Sequence, residues 1–280
     1  MRRRPGVLLA FRGLSGVGFV FWQEAGMAPI LQGVRTIRLS SWNGFHGFIN
    51  SGLRNPHTYV FRGQRQAAWP LNTSLDRAAS LLTFPVNPTR HLEQFSLSTR
   101  GRRGTNPQLL NEAELWALGQ HYGLWTPLLD WTESPHVALY FAFKERSERD
   151  RGTRAVFALS RNYVVERSAV IAKAHAQSPS RPDIVEFIVP KSDENSRLIN
   201  QRGLFTRGTL GVDIGTWVRR HFRRETRKAV LIKMVIPELR GDRLDVLRSL
   251  NRMNINHLSL FPDLGGSAEY CNLRLSIPGY

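Results

Sequence analysis

The chain has 280 residues, 39 Lys plus Arg against 22 Asp plus Glu, a formal net charge of +17 and one cysteine. A hydrophobic content of 41% with 10% aromatics excludes a disordered chain, and the lone Cys271 excludes an intrachain disulfide and a cysteine-rich zinc site. No run of 18 apolar residues is present, which excludes a membrane-spanning helix.

Only 5 of the cations are lysine and 34 are arginine. The guanidinium is a planar fork that grips phosphate bidentately. Genome base composition would produce the same bias as functional selection, so the charge by itself names no partner. Its distribution is uneven. Residues 51–110 carry 8 basic and 2 acidic side chains, 111–150 carry 3 and 7, and 201–280 carry 14 and 7.

Residues 1–26 begin basic and continue apolar, like a secretory signal. Arg12 splits the apolar run, no A-x-A site follows, and Gly13, Gly16 and Gly18 make a poor helix. The segment is expected to be a disordered or upstream extension, with a targeting segment as the alternative. Residues 27–280 are expected to form a single domain. A lone thiol then fits a reducing cytoplasm.

Ser40 or Ser41 is predicted to cap a helix over Trp42–Ser51, with Phe45, Phe48 and Ile49 on one face. Thr58–Arg62 reads as a strand ended by Gly63. Helices are predicted at Leu71–Ala79 and Arg90–Thr99. Asn111 caps the next helix, with Glu114 completing a capping box. Leu128–Thr132 (LLDWT) reads as a buried strand. Ser134-Pro135 then opens a helix through Lys144 that is apolar nearly all round. Strands follow at Ala155–Ser160, Ile184–Val189 and Ala229–Ile236, and a helix at Asp242–Asn251. Strands and helices mix without strict βαβ alternation, so the fold class is α+β.

Arg219, Arg220, Arg223, Arg224, Arg227 and Lys228 fall at helical spacing, with Val218, Phe222 and Ala229 opposite. This predicts an amphipathic surface helix with a basic face. Such a stripe tracks a phosphate backbone, or is simply a solvated helix face. The eight histidines show no metal-ligand spacing, so no metal is expected. Neither a Walker lysine nor a G-x-S-x-G elbow is present.

The richest stretch is Gly119–Ala142, GQHYGLWTPLLDWTESPHVALYFA. Asp130 lies between Leu129 and Trp131 on an apparent core strand, where a carboxylate needs donors or a partner. Thr132 shares its side of the strand. Gln120, His121 and Tyr122 end the preceding helix before Gly123. These groups either staple helix to strand or form a site.

Phe61-Arg62-Gly63-Gln64, followed by Trp69 and Leu71, resembles the signature of the FRG domain family. The stretch from Gly119 to Phe143 resembles that family's longer motif. Later elements match at Arg197-Leu-Ile-Asn-Gln201-Arg-Gly203-Leu-Phe205 and at Leu260–Leu264. Trp125 stands where proline is usual, and Gly265 where an acid is usual. The resemblance runs in order from Trp42 to Tyr270.

A more remote similarity is to ADP-ribosyltransferases. It implies a split mixed or antiparallel sheet ringed by helices. It also implies an NAD-dependent effector, a toxin or phage-defence protein, acting on a nucleic acid or protein. NAD would serve as substrate. Arg62 would hold it, with Asp130, Thr132 and Gln201 at the chemistry. Gly63, Gln64, Gln120, His121, Tyr122, Trp131 and Arg197 would shape its pocket, and Tyr122 or Trp131 would stack the nicotinamide. Gln201 stands where a late Glu is usual. The alternative is a non-catalytic nucleic-acid-binding module using the basic helix face.

Overall fold

The computed structural model describes residues 28–53, 58–146, 152–190, 196–239 and 241–280; the segment 1–26, read above as an extension, lies outside them. Among the described residues seven strands form one sheet: β1 (Val34–Arg38), β2 (Tyr59–Gln64), β3 (Leu128–Thr132), β4 (Thr153–Ser160), β5 (Glu186–Ile188), β6 (Gly203–Arg207) and β7 (Leu231–Pro237). Their order is β1-β7-β4-β2-β3-β6-β5. β1 runs parallel to β7, and the other neighbours are antiparallel.

The helices are α1 (Asn43–Gly47), continued by a π-turn at Phe48–Gly52, α2 (Ser74–Ala79), α3 (Pro88–Ser98), α4 (Glu112–His121) and α5 (Pro135–Phe143). They continue with α6 (Arg161–Ala174), α7 (Ser196–Asn200), α8 (Ile214–His221), α9 (Asp242–Arg252), α10 (His257–Leu260) and α11 (Leu264–Ser276). The fold is α+β with a mixed sheet.

Side-chain alternation divides the core. Phe61, Val156, Ala158, Ile232, Met234 and Ile236 face α5 and α9. Val60, Ala155, Phe157, Leu159, Leu231 and Val235 face Trp217 and Val218 of α8. A third cluster joins Leu92 of α3 and Trp116 of α4 to Leu128 and Phe205. Each buried aliphatic or aromatic side chain contributes roughly 1.5–3 kcal/mol.

Local chemistry sets the helix starts. Asn111 accepts from Glu114 N while Glu114 accepts from Asn111 N, so the capping box read in the sequence is formed. Ser134 accepts from Val137 N, with Pro135 at the first helical position. The helix predicted from Leu71 starts later, at Ser74, where Thr73 forms a capping box with Asp76. The first helix is capped by neither Ser40 nor Ser41: Trp42 holds the cap position and makes no side-chain cap bond.

Two further readings are corrected. Gly63 does not end β2, which runs on to Gln64. It is where α5 crosses the strand: a methyl group there would lie 1.8 Å from the Ala138 carbonyl oxygen. The basic stripe is not one helix, because α8 stops at His221. Phe222 is buried against Gly33, whose N–H donates to Glu225 O. The Glu225 carboxylate then accepts from the backbone N–H of Arg227 and Lys228. Burying Phe222 and satisfying these amides outweighs continuing the helix. Arg219 and Arg220 sit on the last turn of α8, while Arg223, Arg224, Arg227 and Lys228 lie beyond it.

Candidate active-site cleft

The site begins with a gap in the sheet. β2 and β4 are paired over six residues, and β3 and β6 over five. Between β2 and β3 only Phe61 and Thr132 pair. Past that point the strands part, and the next side chains reach into the opening.

Arg62 fills the opening. Its Nη1 donates to the Asp130 carbonyl at 2.9 Å and to Asp130 Oδ2 at 3.3 Å. The guanidinium thus satisfies a carbonyl that a continuous ladder would have paired. Its Nε is buried without a partner. Burial lowers the pKa of Arg62; Asp130 opposes that shift and the nearby Arg77 adds to it.

Asp130 is not the buried carboxylate the sequence implied. Its neighbours are buried, but its side chain is 59% exposed, because alternation along β3 turns it into the opening. Gln120, at the end of α4, donates to Asp130 Oδ1 at 2.5 Å. Gln120 Oε1 in turn accepts from the Thr126 hydroxyl. Both carboxylate oxygens are therefore oriented.

A cleft of about 680 Å³ lies over this group. Arg62, Gly63, Gln64 and Thr132 line it from the parted strands, with Gln120, His121 and Asp130 beside them. Arg197 and Gln201 line it from α7 and the turn after it. Thr132 is buried, donates to the Gln201 carbonyl and accepts from Ser134 N. Gln201 Nε2 donates to Leu260 O. Gln64 Nε2 donates to Pro70 O, and its Oε1 is buried without a partner. Arg197 pairs with Asp263 at 2.5 Å. Burial and Arg197 lower the pKa of His121, so its imidazole is neutral at pH 7.

Two residues read as ring-stacking partners stand differently. Trp131 borders the cleft, but the residue is 3% exposed and its indole N–H donates to Thr206 Oγ1. Tyr122 is 73% exposed, packs edge-on against His121 and is not part of the cleft wall. The aromatic surface comes instead from Trp69, Phe141 and Phe261. Arg65 lies 5.3 Å from the Trp69 ring and 3.0 Å from Glu145. Lys144 lies 5.5 Å from Phe141 and 5.8 Å from Phe261. Sequence reasoning missed Lys144, though it is one of only 5 lysines and ends an apolar helix.

The basic segment forms no part of this cleft. Its six cations are exposed. Arg220 pairs with Asp183, and Lys228 lies over the Tyr163 ring.

Chemically, the cleft offers a cation for an anionic ligand, an oriented carboxylate, a neutral imidazole and aromatic faces. No helix among the described residues is long and apolar enough to cross a membrane. Comparison with curated proteins and with solved structures finds no match. The FRG domain family model matches residues 57–151, a span that includes Arg62, Gln120, Asp130, Thr132 and Lys144. The chain carries an FRG domain, and that domain supplies both parted strands of the cleft.

Proposed function

We propose that this protein is an NAD-dependent ADP-ribosyltransferase-like effector that modifies a nucleic acid or protein. The observation that carries the reading is the Arg62–Asp130–Gln120 group in the gap between β2 and β3, beside Thr132.

In this reading the diphosphate of NAD docks on Arg62, a charge-assisted contact that the guanidinium fork favours. The C1′–N bond of the nicotinamide ribosyl group breaks, and its electron pair leaves with neutral nicotinamide. The ribose passes through an oxocarbenium-like state. The Asp130 carboxylate stabilises that charge and takes the proton released by the attacking acceptor. Gln201 keeps Nε2 on Leu260 O, which leaves Oε1 for a ribose hydroxyl. Trp69, Phe141 or Phe261 packs against the bound rings.

The test is release of nicotinamide from NAD labelled in that ring. Arg62→Ala should cut release by about 10²–10³-fold. No release from the wild-type protein, with protein, DNA and RNA supplied as acceptors, would sink the reading.

A second reading is a non-catalytic module that docks on nucleic acid. It is favoured by Arg223, Arg224 and Arg227, which are exposed and have no carboxylate within 4.0 Å among the described residues. It requires salt-steep binding that is lost when Arg219, Arg220, Arg223 and Arg224 become Glu and is kept in Arg62→Ala.

A further inference from the structure

A second cavity, of about 330 Å³, lies against the first. The two share a wall made of Arg62, Arg77, Gln120 and Asp130. The larger side continues to Trp69, Lys144 and Phe261. The smaller side continues to Ser74, Gly123 and Trp125. Asp130 thus stands between two openings, each large enough for a nucleotide-sized group.

The smaller opening has its own chemistry. Arg77 is exposed; its Nη1 donates to Asn72 O, and no carboxylate pairs with it among the described residues. It adds like charge to Arg62, so the shared wall holds two guanidinium groups against one carboxylate. Trp125 is 53% exposed at the rim, and its carbonyl is tied to the His91 ring at 3.1 Å. A cation with no carboxylate partner, lining the same cavity as an exposed indole on an anchored backbone, is the pairing that receives one phosphate and stacks one base.

We infer that the smaller cavity receives a nucleotide residue of a single-stranded nucleic acid, which attacks the ribose from the far side of Asp130. The assignment rests on the NAD reading above. One balanced step follows: an acceptor oxygen or nitrogen forms the new bond to C1′ as the bond to nicotinamide breaks. The acceptor proton passes to Asp130 and then to water, and nicotinamide leaves neutral. The net charge of +17 draws the strand in at long range, and the cavity selects an unpaired base because only an unstacked base can lie on Trp125.

Fluorescein-labelled oligo-dT and oligo-rU test this by anisotropy with the full chain, alongside nicotinamide release. Trp125→Ala and Arg77→Glu should each weaken binding about tenfold; both side chains are exposed, and unchanged melting would verify their folding. Label from NAD carried on the adenylate side should appear on the oligonucleotide. If wild type binds neither oligonucleotide, or both variants bind as wild type does, the strand site is wrong whatever NAD does. If the label settles on protein alone, the acceptor is a protein and the assignment falls. If the variants lose binding but wild type releases no nicotinamide, the NAD reading and the acceptor role fall while the strand site stands.

Discussion

Two arginine–carboxylate pairs stand on neighbouring strands and do opposite things. Arg154 of β4 meets Glu238 just past β7, with Nε to Oε2 at 2.7 Å. Its side chain is 0% exposed and that of Glu238 is 7% exposed. Arg154 Nη1 also donates to the carbonyls of Ala142 and Glu145, and Arg243 donates to that of Lys144. These bonds satisfy carbonyls at the C-terminal end of α5, which packs along β2. Arg62 and Asp130 make a similar pair on β2 and β3, but with 20% and 59% of their side chains exposed and an open cleft above. A sealed pair holds an element in place. An open one keeps its charge available to a ligand.

The sharpest way to break the contrast is Arg154→Ala. It leaves Glu238 and the Ala142 and Glu145 carbonyls without Arg154 as partner, and should cost about 3–5 kcal/mol in urea unfolding. A cost under 1 kcal/mol would mean that the buried pair holds nothing. Arg62→Ala should do the reverse. Its unfolding free energy should change by about 0–1 kcal/mol, given the exposure of Asp130, while nicotinamide release falls by about 10²–10³-fold. A large loss of stability would make Arg62 a second Arg154. Asn111→Ala removes the cap of α4, which carries Gln120, and should cost about 1 kcal/mol.

A smaller effect comes from acid. His46 Nδ1 and His136 Nε2 lie 3.0 Å apart at the N-terminal end of α5. Burial lowers both pKa values from the ordinary 6.5, and His46 lowers that of His136 further. The unfolded chain then binds more protons than the folded one just below pH 6.5, so stability is full above that pH and falls as pH drops through it. Urea midpoints at pH 7.5 and 5.5 should differ more for wild type than for His46→Gln/His136→Gln. The smallest effect should be Arg223→Glu with Arg224→Glu, which touches neither pair: unfolding should shift by less than about 0.5 kcal/mol.

The caps on α4 and α5 were legible because Asn111, Glu114, Ser134 and Pro135 act within a few residues of themselves. Ten of the eleven residues read as the NAD site line one cleft, because the motifs that name them sit on strands and helix ends that converge. Asp130 was misjudged for a physical reason. Leu129 and Trp131 are both buried, and no local pattern says that the face between them opens onto a gap. That gap depends on where β2 and β3 stop pairing, which is a tertiary fact. β6 was missed because Gly203 and Arg207 bracket only three buried residues. The long α6 and α11 were missed because their apolar residues form no clear stripe. The basic run misled by perfect spacing: periodicity cannot see that Gly33 is waiting for Phe222.

The single residue pair between β2 and β3 also has a mechanical meaning. β4 and β7 are zipped over seven pairs, so that seam resists shear and twist as a plate does. At Phe61 and Thr132 the plate is scored almost through. Two panels, β1-β7-β4-β2 and β3-β6-β5, meet there across that single pair, with Arg62 bridging them to Asp130. Arg62 and Asp130 face each other across that crease, so a rotation about it would change their spacing directly, and the mouth of the cleft with it.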